Sequence, residues 1–308
     1  MKRAVAIVVF LALALPAAAL AWGGTYPTGD SYGSNVVINV SDAYPVDPTL
    51  PQTWATYLGT LIHGPELSKL TLDLAPLAEV QTICGDSALA CYDPNSETIE
   101  ASPDNQLDAP PAQEIVAHEY GHHIANNRND APYSAEEYGT KRWSSYMQIC
   151  KRAAAGLVSP GNEGTSYAEN PGEAFAEAYR VLNLTRAGAT NIRWDIVDRS
   201  FYPNTAALTL LEQDVTTPWV GPTLSHLSGS FGNGVVRTFI VKTPLDGAFT
   251  ARLHAPTKAK LQLQLYAGAT LLGRGTSVRY AICGARTLAL KVRRVSGQGT
   301  FSLDVSKP

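Results

Sequence analysis

The pentapeptide H-E-Y-G-H at positions 118–122 constrains this chain more than any other feature of its sequence. Residues i and i+4 of an α-helix lie one above the other, so a helix places His118 and His122 on one face. Two imidazoles in that arrangement can bind the same metal ion, and Glu119 lies beside them to hold a water molecule. The sequence therefore predicts a helix over Pro110–Asn127 that carries a metal site.

Two neighbours of the histidines also carry expectations. Gly121 costs about 1 kcal/mol of helix stability relative to alanine, so we expect the backbone of another element to pack closely against it. His123 points about 100° away from His122 around the helix. We therefore expect His123 to support the site from outside or to lie on the surface.

A third metal ligand is expected downstream, because a catalytic zinc ion usually takes three protein ligands and one water. The segment Tyr167–Tyr179 offers Glu169, Glu173 and Glu177. Glu173 and Glu177 share a helix face, so one can bind the ion while the other orients an imidazole. However, Asn170 fits the N-cap of this helix, which makes Glu173 the partner in a capping box. Spacing alone leaves the choice between ligand and cap open.

H-E-Y-G-H followed about fifty residues later by N-P-G-E-A-F-A-E-A-Y resembles the gluzincin metallopeptidases. The nearest resemblance is to the catalytic domain type of anthrax lethal factor, whose motifs are H-E-F-G-H and E-x-F-A-E. It covers the two helices that carry these motifs. The resemblance implies that His118, His122 and Glu173 bind one zinc ion per chain. It also implies that Glu119 is the general base and that Glu177 supports a ligand.

The same resemblance implies a tyrosine shortly before the third ligand, which stabilises the oxyanion of the reaction. Tyr167 is nearest to that place but is shifted by one residue from the family spacing, and Tyr179 is a second candidate. The implied function is that of a secreted zinc-dependent endopeptidase, in which zinc-activated water attacks a peptide or protein substrate. We also expect the predicted strand Glu97–Ala101 to form the sheet edge that pairs with an extended substrate.

Two other functions remain open from the sequence. The first is a non-catalytic exported binding protein with a retained zinc site, and the second is a zinc hydrolase that acts on a non-peptide bond. Glu119 argues against the first, because a purely structural zinc site needs no general base. The H-E-x-x-H motif makes the second less favoured.

The first 21 residues predict a secretory signal peptide. Lys2 and Arg3 precede the apolar run Ala4–Leu15, and alanines occupy the −3 and −1 positions of a cleavage site before Trp22. The apolar run is too short to span a bilayer comfortably, and no later segment is apolar enough to do so. The expected mature chain is therefore secreted or extracellular, with the periplasm and the cell surface as alternatives.

The chain is close to neutral, with 24 Lys and Arg against 27 Asp and Glu. Removing Lys2 and Arg3 changes the formal charge from −3 to −5. A mildly acidic chain argues against nucleic-acid binding, which usually needs a basic face. Apolar residues make up 45% of the chain, which excludes a disordered protein. We expect a monomer without a membrane span.

Export makes disulfides available to the four cysteines. Cys84 and Cys91 lie seven residues apart and can close a small loop, which leaves Cys150 and Cys283 for each other. The sequence does not choose among the three pairings. None of the cysteines has zinc-finger or C-x-x-C spacing, so thiolate metal sites are not expected.

The pattern of periodicity predicts an α+β protein with a mainly helical domain and a small sheet over 22–217, a linker over 218–229 and an all-β sandwich over 230–308. The resemblance to the gluzincins implies that the first of these domains is zincin-like and catalytic. Residues 22–35 are expected to be a loose N-terminus. The segments from Cys283 to Val292 and from Gly297 to Ser306 faintly resemble the pre-peptidase C-terminal domains of secreted bacterial peptidases.

The individual elements follow from helical and alternating spacing of apolar residues. Besides the helix that bears the motif, helices are predicted at Pro51–Ile62, Ser134–Leu157 and Pro171–Leu182, with shorter ones near 191–200 and 204–213. Strands are predicted at Asn35–Val40, Leu70–Leu74, Glu97–Ala101, Lys260–Tyr266, Thr287–Val292 and Thr300–Val305.

Overall fold

The computed structural model describes residues 21–194, 196–284 and 286–308. Within these ranges the chain is α+β: a five-stranded sheet with helices is followed by two four-stranded sheets. The predicted signal peptide lies outside the described residues, apart from Ala21. No helix among the described residues is both long and apolar enough to cross a bilayer.

The helices of the described N-terminal part are α1 Thr49–Thr60, α2 Leu77–Cys84, α3 Ala112–Asn126, α4 Ala135–Tyr138, α5 Lys141–Tyr146, α6 Ile149–Ala154, α7 Pro171–Arg186 and α8 Thr205–Thr216. The strands there are β1 Trp22–Pro27, β2 Asn35–Val40, β3 Thr71–Leu74, β4 Ala90–Asp93 and β5 Thr98–Ala101. They form one sheet in the order β1-β2-β3-β5-β4, and its apolar face packs with the helices in one core.

The loose N-terminus predicted over 22–35 is wrong, because β1 occupies its first six residues. Strand β1 pairs antiparallel with β2, from Trp22 opposite Val40 to Pro27 opposite Asn35. Two glycines and a proline lower the strand propensity of β1. Pairing with a strand that is buried on one face overrides that local preference.

The predicted edge strand is also corrected. Strand β5, which matches the predicted strand Glu97–Ala101, lies inside the sheet between β3 and β4. The edge on that side of the sheet is β4, a four-residue strand that pairs antiparallel with β5, from Ala90 opposite Ala101 to Asp93 opposite Thr98. The side chains of β4 do not alternate between buried and exposed, unlike those of β3 and β5, so no period-2 pattern predicts this strand.

The single helix predicted over Ser134–Leu157 is three short helices, α4 to α6. Gly139 breaks it first, with φ of 80°, and a side chain there would meet the Trp143 ring at 2.5 Å. Gln148 breaks it again, with φ of 57°. The Asp214 carboxylate accepts two backbone hydrogen bonds from the first turn of α5, at 2.7 and 3.0 Å, so a new helix begins there. The Ser134 side chain, which precedes α4, makes no capping hydrogen bond.

The remaining helix predictions agree in all but one place. The helices predicted at 51–62, 110–127, 171–182 and 204–213 correspond to α1, α3, α7 and α8. The short helix expected near 191–200 is wrong, since among the described residues of that segment only a 3-10 turn, Arg199–Phe201, forms.

The C-terminal part consists of β6 Thr223–Ser230, β7 Val236–Thr243, β8 Gly247–His254, β9 Lys260–Ala267, β10 Thr270–Gly275, β11 Ser277–Ile282, β12 Arg286–Ser296 and β13 Thr300–Lys307. They form two antiparallel sheets, β10-β9-β12-β7 and β11-β8-β13-β6, which enclose a second core. Most of the linker predicted over 218–229 is therefore strand β6. Its composition is linker-like, but the register with β13 fixes it as a strand.

Both of the cysteine pairs favoured by spacing are disulfides. Cys84 and Cys91 close the seven-residue step between α2 and β4. Cys150 on α6 joins Cys283, which follows β11, so the second disulfide ties the C-terminal sheets to the helical part. A further contact across the same junction is the hydrogen bond from the Asp246 backbone to Ser145 Oγ, at 2.9 Å.

Helices α3 and α7 pack against each other at their backbones. A Cβ atom on Gly121 would lie 2.7 Å from the Cα atom of Ala176 and 3.1 Å from its carbonyl oxygen. Such distances are shorter than van der Waals contact, so only glycine fits at this crossing. The expectation that another backbone packs closely against Gly121 is confirmed.

Gly121→Ala should therefore destabilise the protein even though alanine is the better helix former. We expect overpacking to cost about 1–3 kcal/mol, against a gain of about 1 kcal/mol in helix propensity. The measurement is the Tm of both proteins by circular dichroism.

Gly234→Ala is the control, because a Cβ atom there meets nothing within 4 Å. Its Tm should match that of the wild type. A Tm for Gly121→Ala equal to or above the wild-type value would contradict the tight crossing of α3 and α7.

Candidate metal centre

The two histidines of the pentapeptide face α7 from consecutive turns of α3. The His118 side chain is 6% exposed and that of His122 is 18% exposed. Their ring centroids lie 5.2 Å apart. The predicted helix thus places both imidazoles on one face, as the i, i+4 spacing requires.

Glu173 supplies the third donor from the first turn of α7. Its Oε2 atom lies 3.1 Å from His118 Nε2, and its Oε1 atom lies 3.4 Å from His122 Nε2. One ligand atom from each of these three residues lies within 4.8 Å of the other two. Among the described residues, no other set of three His, Cys, Asp or Glu side chains meets this condition.

The structure excludes one of the two roles left open for Glu173. Asn170 caps α7 with its own side chain, which accepts a hydrogen bond from the Gly172 backbone at 2.9 Å. The carboxylate of Glu173 contacts the two histidines and Tyr167, and no bond to the Asn170 backbone forms. Glu173 therefore faces the histidines and does not complete a capping box.

Glu177 and Arg180 hold the ring of His118 in place. Glu177 Oε2 lies 3.2 Å from His118 Nδ1, which leaves Nε2 of that ring directed at Glu173. Arg180 donates two hydrogen bonds to Glu177, at 2.9 and 2.6 Å, and also pairs with Glu114. A carboxylate on the outer ring nitrogen fixes the orientation of a ligating imidazole. Sequence reasoning missed Arg180, although its i+3 spacing from Glu177 was available as a signal.

The two tyrosine candidates are in different places. Tyr167, in the 3-10 turn Tyr167–Glu169, donates its hydroxyl hydrogen bond to Glu173 Oε2. Tyr179 is fully buried and donates to the carbonyl of Ile62, away from the site. Only Tyr167 is therefore positioned beside the donor set.

His123 and Glu169 are not part of the donor set. His123 is completely buried, with Nε2 2.9 Å from the carbonyl oxygen of Glu66 and Nδ1 3.1 Å from the Tyr92 hydroxyl. It braces α3 against its neighbours, so the surface alternative for His123 is wrong. Glu169 is exposed at the end of the 3-10 turn.

The electrostatics of this cluster favour a bound cation. Burial acts to lower the pKa of His118, but hydrogen bonds to Glu173 and Glu177 raise it to about 10. Burial acts to raise the pKa of Glu173, and the two histidines lower it well below its usual range. Burial raises the pKa of Glu119. Glu173 and Glu177 therefore favour positive charge at the position of His118.

The chemistry of the donor set fits a metal ion. Two imidazole nitrogens and one carboxylate oxygen converge on a common point, and the outer nitrogen of one imidazole is held by a further carboxylate. Nitrogen and oxygen donors of this kind suit zinc and other first-row transition metals. The group His118, His122 and Glu173 could therefore hold a metal ion.

Comparisons with known proteins add little. No family model and no curated protein sequence matches the chain. Among solved structures, a Yersinia pseudotuberculosis-derived mitogen matches 28% of this chain and 87% of its own, with 20% identity and a TM-score of 0.24. Aeromonas hydrophila PliG, a periplasmic inhibitor of g-type lysozyme, matches 28% and 87%, with 15% identity and a TM-score of 0.23. Likeness at this level carries no argument about fold or function.

Replacing the third donor tests the metal centre. Glu173→Gln should weaken zinc binding by about 100-fold or more, because it removes a charged donor where even supporting residues are worth 10–100-fold. Zinc content and affinity of the purified protein can be measured by elemental analysis and by competition with a chelator.

Glu169→Gln is the matched control. Glu169 is exposed and lies four residues before Glu173, and the variant removes the same charge. It should bind zinc like the wild type. Equal affinity in the wild type and Glu173→Gln would exclude Glu173 as a ligand.

Proposed function

We propose that this chain is a zinc-dependent endopeptidase with a zincin-like catalytic domain followed by a β-sandwich, related to the gluzincins. The observation that carries the proposal is the position of Glu119. This carboxylate is buried on the helix that supplies the two histidines of the His–His–Glu donor set. A site that served only to hold the fold together would have no use for a further, uncoordinated carboxylate there.

Each residue then has a separate task. His118, His122 and Glu173 would hold the zinc ion, which supplies polarisation of a carbonyl and a lowered pKa of water when it is bound. Glu119 accepts the proton of the attacking water and passes it to the leaving amine. Its carboxylate is close enough to His118 and His122 for their charges to act on it.

Tyr167 is proposed to stabilise the oxyanion. Its hydroxyl lies at hydrogen-bond distance from Glu173, so it borders the donor set from the side of the 3-10 turn. A phenol is a hydrogen-bond donor that can move from the carboxylate to a developing negative charge. Preorganised donors of this kind stabilise the negative charge that develops in the transition state.

Strand β4 is proposed to bind the substrate in extended form. It is one of the two edge strands of the sheet and packs on α3. The Tyr92 hydroxyl of β4 accepts a hydrogen bond from Asn126 in the last turn of α3, at 2.9 Å. An extended peptide that pairs with this edge would therefore run alongside the helix that carries the histidines.

An exported location is part of the proposal. Two disulfides are present among the described residues, and disulfides persist in oxidising compartments. The predicted signal peptide points the same way. A secreted or periplasmic protease acting on peptide or protein substrates fits both observations.

Glu119→Gln should separate catalysis from metal binding. The amide keeps the size of the side chain but cannot take a proton, so we expect kcat to fall by about 10²–10⁴-fold with zinc content unchanged. Cleavage of a denatured protein substrate, followed by mass spectrometry of the products, gives the rate.

Glu137→Gln is the control, because Glu137 is exposed on α4 and should leave kcat unchanged. If Glu119→Gln cleaves as fast as the wild type, Glu119 is not the general base. If the zinc-loaded wild type cleaves no peptide bond, the endopeptidase proposal fails in favour of a zinc-binding protein without peptidase activity.

A further inference from the structure

The near-neutral charge of the whole chain conceals two oppositely charged parts. Residues 223–308 contain twelve Lys and Arg against two Asp and no Glu, a formal charge of +10. Residues 21–222 contain ten Lys and Arg against 25 Asp and Glu, a formal charge of −15. Such asymmetry between the parts of a chain indicates an interaction with an anionic surface or polymer.

Five of these twelve basic residues lie on the solvent side of the sheet β10-β9-β12-β7. Along β12, Leu288, Leu290 and Val292 are buried in the core. Because side chains alternate along a strand, Lys291 and Arg293 point to the opposite, outer face.

Strand register extends this outer face across the sheet. Lys291 lies opposite Gln264 of β9, and Gln264 lies opposite Arg274 of β10. We call this outer side the basic sheet face; its charged members are Lys242, Lys260, Arg274, Lys291 and Arg293. Strands β7, β9, β10 and β12 contain no Asp or Glu, so nothing within the face neutralises these charges.

The other four-stranded sheet differs in this respect. Its outer side carries Asp304, which lies 2.8 Å from His226 and 2.7 Å from His254. Arg252 lies directly opposite Asp304 on the neighbouring strand. Positive charge on that side is therefore partly neutralised, and the two sheets are not equivalent.

An apolar row crosses the basic sheet face beside the charges. Leu271, Tyr266, Ala289 and Ile240 lie opposite one another on four successive strands. Leu271 is 43% exposed and Ile240 is 63% exposed. The Lys291 ammonium lies 4.4 Å from the centre of the Tyr266 ring, so the basic and apolar rows are in direct contact.

We propose that the basic sheet face docks on an anionic lipid bilayer. Exposed aliphatic side chains next to Lys and Arg match the boundary between acyl chains and anionic headgroups. A linear polyanion would need the charges but not the apolar row. The acidic N-terminal part is repelled by the same bilayer, so it faces away from the surface and leaves the metal centre in solution.

The test is co-sedimentation of the full-length mature chain with two kinds of vesicle. The first kind is phosphatidylcholine containing 30% phosphatidylglycerol, and the second is phosphatidylcholine alone. Binding is expected only to the anionic vesicles. The double variant Arg274→Gln/Arg293→Gln should weaken it by about 25-fold, since each basic residue near an anionic surface is worth about 1 kcal/mol, or about fivefold.

Arg252→Gln/Arg279→Gln is the matched control. It makes the same change of net charge at two exposed arginines on the outer side of the other sheet. Sheets pack about 10 Å apart, roughly one Debye length at physiological salt, so this variant should bind nearly as well as the wild type. Equal loss in both double variants would overturn the assignment to the basic sheet face.

Ile240→Ser distinguishes a bilayer from a linear polyanion. It should weaken vesicle binding by about threefold or more through lost apolar contact, while retention on a heparin column stays the same. The proposal fails if the wild type ignores anionic vesicles, or if it binds heparin or DNA but not vesicles. The altered side chains are exposed, and an unchanged Tm confirms that the variants fold.

Discussion

The close crossing of α3 and α7 is the contact on which the candidate site depends. Gly121 allows the α3 backbone to approach Ala176 of α7, and the same crossing brings Glu173 to the two histidines. The donors are about fifty residues apart in sequence. They meet because α3 and α7 pack closely against each other. Glu177 then fixes the orientation of the His118 imidazole, and Arg180 holds Glu177 in place by hydrogen bonds.

The candidate site could be predicted largely from the sequence because the residue spacing that places its side chains is local. The i, i+4 spacing of His118 and His122 fixes their common face once the segment is helical. Gly121 between them indicated a close backbone neighbour. The role of Glu173 could not be settled this way, since one spacing suits both a ligand and a cap. Only the position of its carboxylate relative to α3 decides between them.

The parts that could not be predicted depend on contacts distant in sequence. The Asp214 carboxylate accepts hydrogen bonds from the first turn of α5, so the single helix predicted over Ser134–Leu157 is broken at that point. Strands β1 and β6 have loop-like composition and are fixed by their partners β2 and β13. The total charge of the chain is likewise the sum of an acidic part and a basic part, which largely cancel. The argument from that total against polyanionic partners therefore says nothing about the C-terminal sheets.

Anomalous diffraction from crystals of the zinc-loaded protein, at the zinc absorption edge, tests the central claim most directly. The account predicts one strong peak within about 2.0–2.2 Å of His118 Nε2, His122 Nε2 and a carboxylate oxygen of Glu173. A peak coordinated by Glu169 or Glu177 in place of Glu173, or no peak at these histidines, would contradict it.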